Sequence, residues 1–245
     1  MAEESAERVA VLSPHLDDAV LSAWSALRSA REAHVVNVCS GLPPSGVLSP
    51  WDRLTGATSS RVRMLERVRE DRMALRRAGC TATALDLPEA QYRDGALDSA
   101  ALGGELKTLL HGVDQVWAPA GIGGHEDHLQ VRDAVLDICR HGGPVLRLYA
   151  DLPYAVKYGW PGWVCGRDDD PHLIVEEWWR RFLPADLELS VEKHELAPAD
   201  AQDKLRALAA YRTQLPGLNG GPIQLLQHPY VISYEVSWVV SGSSG

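Results

Sequence analysis

Five short apolar runs alternate with helix-like segments along the first 150 residues, and this alternation most constrains the fold. The strand-like runs are Arg8 to Leu12, His34 to Ser40, Ala82 to Leu87, Gln115 to Pro119 and Val145 to Tyr149. The helical periodicity covers Ala19 to Leu27, Thr58 to Gly79, Ala100 to Leu110 and Leu129 to Arg140. Because strands that alternate with helices are joined by right-handed crossovers, we expect a Rossmann-like three-layer αβα fold with a mainly parallel sheet.

The pattern changes after about residue 150, where prolines and tryptophans punctuate the chain. A last helix is predicted over Asp200 to Tyr211 and a strand-like end over Tyr230 to Val240. No polar linker separates this region from the rest, so we predict one domain over residues 1–240. Residues 1–150 would form the sheet core, 151–240 a C-terminal cap region and 241–245 a flexible tail.

The tryptophans of the cap region allow two interpretations. They either pack in the core and at its rim, or one or two of them line a pocket mouth and stack on a sugar or planar substrate. The residues concerned are Trp160, Trp163, Trp178 and Trp179.

A histidine and two carboxylates follow the first strand-like run. His15, Asp17 and Asp18 lie where a strand gives way to a helix, and open α/β sheets bind their ligands at such places. One imidazole and one carboxylate can bind a divalent metal while the second carboxylate acts on water. Taken alone, the stretch also fits a helix entry with acidic residues near the helix dipole.

A second polar cluster follows the fourth strand-like run. It consists of His125, Glu126, Asp127 and His128. By itself a pair of histidines three residues apart is compatible with surface decoration or a local hydrogen bond. Two such clusters at strand-to-helix junctions of one sheet instead indicate a metal-dependent hydrolase.

Charge and composition exclude several other classes. The net charge of -9 argues against nucleic acid and anionic membranes as partners. No apolar run approaches the ~18–20 residues that span a bilayer, and the acidic start does not resemble a signal peptide; we therefore expect a cytoplasmic location. The turn after the first strand lacks the glycine pattern of dinucleotide-binding proteins. The sequence leaves a homo-oligomer open.

Both clusters resemble the motifs of the LmbE-like, or PIG-L, family of metal-dependent N-acetylglucosaminyl deacetylases. The family's His-Pro-Asp-Asp motif corresponds to His15-Leu16-Asp17-Asp18, and its His-x-Asp-His motif to His125-Glu126-Asp127-His128. Weaker likenesses lie at Arg67 to Glu70, Asp151 to Ala155 and Lys204 to Gln214, so the resemblance extends over most of the chain.

The resemblance implies the roles of several residues. The family pattern assigns the metal ligands to His15, Asp18 and His128, with Zn²⁺ as the expected cofactor and other divalent transition metals as alternatives. Consecutive carboxylates at a helix entry point in different directions. Asp17 can therefore reach the water as the general base while Asp18 binds the metal.

The remaining site predictions concern acid–base help and substrate contacts. His125 would donate to the oxyanion or protonate the leaving amine, and Asp127 would hold it cationic by raising its pKa; Asp127 also fits a helix N-cap. Arg67 would contact the substrate or pair with Glu70 on the surface. Further candidate pocket residues are Tyr154, Tyr211 and Gln214, of which Tyr154 and Gln214 are the predicted substrate contacts; a purely structural role is the alternative for each.

The function implied is removal of an N-acyl, in particular an N-acetyl, group from an amino sugar or glycoconjugate, a small-molecule substrate. Two alternatives stay open: an amidase or deacylase acting on a natural-product or thiol-conjugate amide, and a non-catalytic binding module on the same fold. Many family members have Pro at Leu16 and Glu at Ala19. Neither position is a ligand in the family, so these differences bear on the substrate rather than on the metal.

Overall fold

The computed structural model describes residues 8–140, 142–168, 172, 174–220 and 224–241. Its strands are β1 (Arg8–Ser13), β2 (Glu32–Asn37), β3 (Thr81–Ala84), β4 (Gln115–Pro119), β5 (Val145–Tyr149), β6 (Glu188–Glu195) and β7 (Tyr234–Ser241). Its α-helices are α1 (Asp18–Ser22), α2 (Trp24–Ser29), α3 (Pro50–Leu54), α4 (Ser60–Ala78), α5 (Ser99–Leu109), α6 (Glu126–Arg140), α7 (Gly162–Cys165), α8 (Val175–Arg180), α9 (Pro198–Leu208), α10 (Leu215–Leu218) and α11 (Pro229–Ser233). Short 3₁₀ turns cover Ala90–Tyr92, Tyr154–Val156 and Leu225–Gln227.

The described strands form one sheet in the order β3-β2-β1-β4-β5-β7-β6. Strands β1 to β5 pair in parallel, whereas β7 pairs antiparallel with both β5 and β6. The chain moves outward from β1 to β3 and then returns to build the other half from β4. The strand order therefore reverses between β1 and β4, and ligands of open α/β sheets bind at such a point. The predicted mainly parallel α/β fold is confirmed.

The central strands are buried on both faces, as a covered parallel sheet requires. Val11 and Leu12 of β1 and Val116 and Ala118 of β4 have no accessible surface. Apart from the one predicted over Ala19 to Leu27, the predicted helices occur with small shifts at their ends. Helix α4, for example, starts after its capping residue Ser59 and stops at Gly79, whose positive φ of 78° ends it.

The predicted helix from Ala19 to Leu27 is two helices in the structure. It breaks at Ala23, and the carboxylate of Glu235 accepts hydrogen bonds from the backbone N–H groups of Trp24 and Ser25 at 2.9 and 2.8 Å. Lys204 of α9 donates to the same carboxylate at 2.6 Å. The buried Lys204–Glu235 ion pair, distant in sequence, thus caps α2. The local periodicity of the sequence does not separate this helix from α1.

The region predicted as a cap also contributes two strands to the sheet. The sequence pattern does not predict β6, because four of its eight residues are charged and it lies at the sheet edge, where β7 is the one described strand that pairs with it. The predicted strand from Tyr230 begins instead as the helical turn α11 with Pro229 at its start. The domain boundary near residue 150 stays a prediction.

Two further features bear on the earlier expectations. In the predicted tail, Ser241 is the last residue of β7, and residues 242–245 lie outside the described residues. Among the described helices, none combines the length and the apolar character needed to cross a bilayer.

Candidate active site

The two polar clusters meet at the carboxyl ends of β1 and β4, where the strand order reverses. Ser13, the last residue of β1, shapes the first loop because its hydroxyl donates to the carbonyl of His15 at 2.5 Å and accepts from the N–H of Ala19 at 3.0 Å. The loop after β4 enters α6 at Glu126. His15 and His128, 113 residues apart in sequence, thereby become neighbours.

Three side-chain atoms form a compact triangle. The Nε2 atom of His128 lies 3.3 Å from Nδ1 of His15 and 3.3 Å from Oδ2 of Asp18, and the latter two atoms are 3.5 Å apart. Ligands bound to one tetrahedral Zn²⁺ at ~2.0–2.2 Å lie roughly 3.3–3.5 Å from one another. The spacing of the three atoms therefore matches that of ligands around a single cation.

The outer nitrogens of both imidazoles are held by carboxylates. His15 Nε2 lies 3.0 Å from Oδ2 of Asp127, and His128 Nδ1 lies 2.6 Å from Oδ1 of Asp151. In the neutral tautomers that donate these bonds, the lone pairs of His15 Nδ1 and His128 Nε2 face the triangle. Metal-binding histidines are oriented in this way by second carboxylates.

The electrostatics of the cluster favour a positive charge. Burial would lower the pKa of His128, but the carboxylates of Asp18 and Asp151 outweigh it and raise the pKa to about 9. Burial likewise opposes the charged form of His15, yet hydrogen bonds to Asp127 and Asp18 raise its pKa well above its usual range. The pKa of Asp18 is held far below its usual range, because His128 outweighs the effect of burial.

Asp17 lines the cavity beside this triangle. It precedes α1, and its side chain makes no capping hydrogen bond to that helix. Burial, together with the neighbouring charge of Asp18, raises the pKa of Asp17 to about 6. The carboxylate is therefore ionised at neutral pH but basic enough to take up a proton.

His125 stands close to the cluster, since one ring nitrogen each of His15, His125 and His128 lie within 4.8 Å of one another. Burial, with the neighbouring histidines, lowers the pKa of His125 to about 4. Its Nδ1 accepts a hydrogen bond from the backbone N–H of Asp127 at 3.3 Å, so the neutral ring carries its proton on Nε2. The prediction that Asp127 makes His125 cationic is wrong: the Asp127 carboxylate, 3.9 Å from Nδ1 of His125, favours the charged form, but burial and the neighbouring histidines outweigh it.

Asp127 is completely buried and receives several donors. Besides His15, its carboxylate accepts from Nη1 of Arg93 at 2.5 Å and from the N–H of Ala90 at 3.0 Å. Burial would raise its pKa, but these bonds hold it below its usual range. The residue lies inside the first turn of α6, so the alternative prediction of a helix N-cap is wrong.

The three predicted substrate contacts all line the cavity with the cluster. Arg67 is buried and pairs with Glu89 at 2.5 Å, so the alternative of a surface pair with Glu70 is wrong; Glu70 accepts hydrogen bonds from Thr213 instead. The ring of Tyr154 lies 5.9 Å from that of His128.

Gln214 lies deep in the cavity wall and is almost fully buried. Tyr211, by contrast, donates to Asp71 at 3.0 Å and does not line the cavity. The backbone of Gly123 packs closely against the side chain of Tyr154. A Cβ atom on this glycine, which has φ +94°, would lie 2.7 Å from Tyr154.

Several residues of the site escaped sequence reasoning. Asp151 lies in a stretch that resembles the family, but the sequence pattern by itself indicates no role for it. Arg93 and Glu89 belong to a polar segment that follows β3. The position of this segment at the carboxyl edge of the sheet is the one feature that could have indicated that it contributes to the site. Trp51 is the tryptophan of the cavity wall, whereas none of the four cap tryptophans lines it; Trp163 and Trp179 border a separate apolar groove.

Comparison with known proteins gives the family. The model of the PIG-L family, described as GlcNAc-PI de-N-acetylase, matches residues 10–139. The chain belongs to the PIG-L family. The matched segment runs from β1 through α6 and includes both the His15–Asp18 and the His125–His128 motifs, so the resemblance seen in the sequence is confirmed.

Similar proteins include deacetylases. The 2'-N-acetylparomamine deacetylase of Streptomyces fradiae is 54% identical over 44 residues, which are 18% of this PIG-L chain and only 16% of that protein. The A40926 pseudoaglycone deacetylase is 27% identical with a TM-score of 0.73, and the alignment covers 97% of this chain and 98% of that one.

The zinc-inhibited form of teicoplanin deacetylase is 23% identical with a TM-score of 0.74 and covers 97% of this chain and 99% of that one. At that identity it supports the fold alone. The family, the likeness to the A40926 pseudoaglycone deacetylase and the cluster of His15, His125 and His128 indicate metal-dependent hydrolytic chemistry of the deacetylase type.

Proposed function

We propose that this protein is a metal-dependent hydrolase that removes an N-acyl group, in the first instance acetyl, from an amino sugar or glycoconjugate. One observation carries the proposal: His15, Asp18 and His128 present three ligand atoms within 3.3–3.5 Å of one another, and His15 and Asp18 line the same cavity as Asp17. The family and the deacetylases among its structural neighbours support the same chemistry.

The donor set fits a divalent cation. Two imidazoles and one carboxylate are a common catalytic set and leave a position open for water or substrate. When bound there, the cation would act as a Lewis acid toward the water and the substrate carbonyl. Zinc is our first choice, and cobalt and iron(II) suit the same ligands.

Asp17 would act as the base and then as the acid. The attacking water gives a proton to the Asp17 carboxylate as its oxygen bonds to the carbonyl carbon. When the C–N bond breaks, the protonated Asp17 passes this proton to the leaving nitrogen, which gives the amine and the acid. A carboxyl with a pKa near 6 is suited to both transfers at neutral pH.

His125 would stabilise the oxyanion as a neutral hydrogen-bond donor. Its Nδ1 is occupied by the Asp127 backbone N–H, so Nε2–H is the available donor. Preorganised donors at a developing oxyanion contribute strongly to acyl-transfer reactions. Asp127 would then serve as a positioning residue, since it orients His15 through one oxygen and receives Arg93 on the other.

The substrate predictions also remain proposals. Arg67, Tyr154 and Gln214 line the cavity and are placed to meet a sugar or its substituents. A larger natural-product amide is the second candidate, favoured by the 27% identity to a pseudoaglycone deacetylase over nearly the whole chain. The cytoplasmic location stays a prediction from the sequence.

The test is metal analysis followed by an activity screen. Protein treated with a chelator is reloaded with Zn²⁺, Co²⁺ or Fe²⁺ and incubated with N-acetylglucosamine, its glycosides and N-acylated glycopeptides, and released amine is measured. We expect one equivalent of metal, release of amine from at least one substrate, and none from the Asp17→Asn variant. Stoichiometric metal and sugar binding without any amine would favour the binding module instead.

A further inference from the structure

Trp51 is an aromatic wall residue of the catalytic cavity that the reaction steps above do not use. It lines the same cavity as His15, Asp17 and Tyr154. Its side chain is partly accessible, and the sequence did not single it out because it stands in a short helix far from both motifs. An aromatic side chain in such a place is available to a bound substrate.

The indole is held at its polar edge. Trp51 Nε1 donates a 2.9 Å hydrogen bond to Oε1 of Gln214. The amide nitrogen of Gln214 in turn donates to Oγ1 of Thr213 at 3.2 Å, which sets the direction of the amide. Gln214 therefore holds the indole as well as lining the cavity.

The benzo edge of the indole is held by a glycine. A Cβ atom on Gly217 would lie 2.6 Å from Cη2 and 2.8 Å from Cζ2 of Trp51. Side chains do not tolerate such distances, so the backbone of α10 can approach the indole only because residue 217 is glycine. Trp51 is thus fixed from two sides by the segment that carries Gln214.

The helix that carries Trp51 is tied to the metal-ligand cluster. The adjacent Asp52 is completely buried and accepts a 2.7 Å hydrogen bond from the hydroxyl of Tyr92. In the same short turn, the N–H of Ala90 bonds to Asp127, which holds His15. The indole consequently has a defined position relative to the reacting atoms.

Resting on the proposed function, we propose that Trp51 determines specificity by packing its indole against the sugar ring of the N-acylated substrate. A pyranose ring exposes C–H groups that pack on an aromatic surface, and a rigid indole loses little conformational entropy in doing so. The cavity volume of about 290 Å³ is at the lower end for ligand sites, which suits one sugar ring with its acyl group. Gln214 and Gly217 act as positioning residues for Trp51.

The experiment compares a ring substrate with a linear one. Rates are measured for N-acetylglucosamine and N-acetylethanolamine with metal-loaded wild type, Trp51→Phe, Trp51→Ala and Gln214→Leu. Aromatic packing contacts contribute roughly twofold to tenfold in binding beyond the area that they bury. We expect Trp51→Ala to raise KM for the sugar about tenfold with kcat changed less than about threefold, and to raise KM for the linear amide clearly less.

The other variants test whether the effect on KM follows the aromatic contact. Trp51→Phe and Gln214→Leu should give smaller rises in KM, and bound metal should be unchanged in all of them. Trp163→Phe is the matched control, since Trp163 borders a different groove. An unchanged KM for the sugar, an equal rise for both substrates, or a loss confined to kcat would overturn the role of Trp51.

Calorimetry separates this inference from the proposed function. If wild type releases no amine from any substrate, the proposed hydrolase fails, and N-acetylglucosamine is then titrated into metal-loaded wild type and Trp51→Ala. Weaker binding to the variant would uphold the contact with Trp51. Equal binding, or no binding to either protein, would overturn it.

Discussion

Asp151 Oδ1 lies 2.6 Å from Nδ1 of His128, and Oδ2 of the same carboxylate accepts the backbone N–H of Ile122 at 2.9 Å. Asp151 follows β5, whereas His128 and Ile122 follow β4. The carboxylate thus joins two adjacent loops and turns the other nitrogen of His128 toward Asp18 and His15. The residue is completely buried, so its carboxylate is shielded from solvent.

Replacement of Asp151 by Asn should weaken metal binding. Loss of the charged partner of a metal-binding histidine costs about 10- to 100-fold in metal affinity. The measurement is competition for the metal with a chromophoric chelator, and the control is Asp133→Asn on the exposed face of α6. An affinity equal to that of wild type would show that Asp151 has no part in holding His128.

Asp17 and Asp18 should have separable effects although they are adjacent. Asp18→Ala removes one corner of the ligand triangle and should strip the metal, whereas Asp17→Asn should keep it and lower kcat by about 100- to 10,000-fold. Elemental analysis and steady-state rates on the same preparations distinguish the two. Equal metal loss in both variants would contradict the division of roles.

His125 should act without titrating. Its pKa of about 4 lies below neutral pH, so the neutral Nε2–H donor is present throughout pH 6 to 9. We expect His125→Ala to lower kcat by about 100- to 1,000-fold and His125→Gln, which keeps an N–H donor, to lose less. The pH dependence of kcat from pH 6 to 9 should have the same shape in wild type and His125→Gln; disappearance of a basic limb in the variant would show that His125 is cationic.

Asp71 should make stability depend on pH. Burial raises its pKa from 3.8 to about 7, against hydrogen bonds from Tyr211 and Asn37. Between these values the unfolded chain has lost the proton while the folded protein keeps it. The bound proton therefore stabilises the folded protein at low pH. The free energy of unfolding falls as pH rises from about 4 to 7, and above pH 7 the stabilisation by this proton is lost.

Asp71→Asn mimics the protonated form and removes this dependence. At pH 8 the variant should be more stable than wild type by on the order of a few kcal/mol, and at pH 4 the two should be similar. Urea denaturation at pH 4, 6 and 8 measures the difference, with Asp133→Asn as the exposed control. A stability difference that does not change with pH would mean that Asp71 is ionised in the folded protein.

The local parts of the site could be predicted from the sequence. His15, Asp17 and Asp18 lie within four residues at a strand-to-helix junction, so their proximity follows from chain connectivity. His128 could be joined to them because the carboxyl ends of parallel strands meet at one sheet edge, where the strand order reverses. The alternation of strands and helices determined that sheet, and the family motifs named the ligand set.

Only the tertiary structure decided which polar groups meet. Arg67 pairs with Glu89 rather than Glu70, Asp127 bonds to His15, and burial beside two other histidines lowers the pKa of His125. Periodicity shows which side of an element is apolar, but pairings between loops and the pKa values that follow depend on burial and neighbours in the folded chain. For the same reason the sequence did not indicate that Trp51 and Asp151 belong to the site, or that the charged edge strand β6 belongs to the sheet. Their positions depend on contacts with residues far away in sequence.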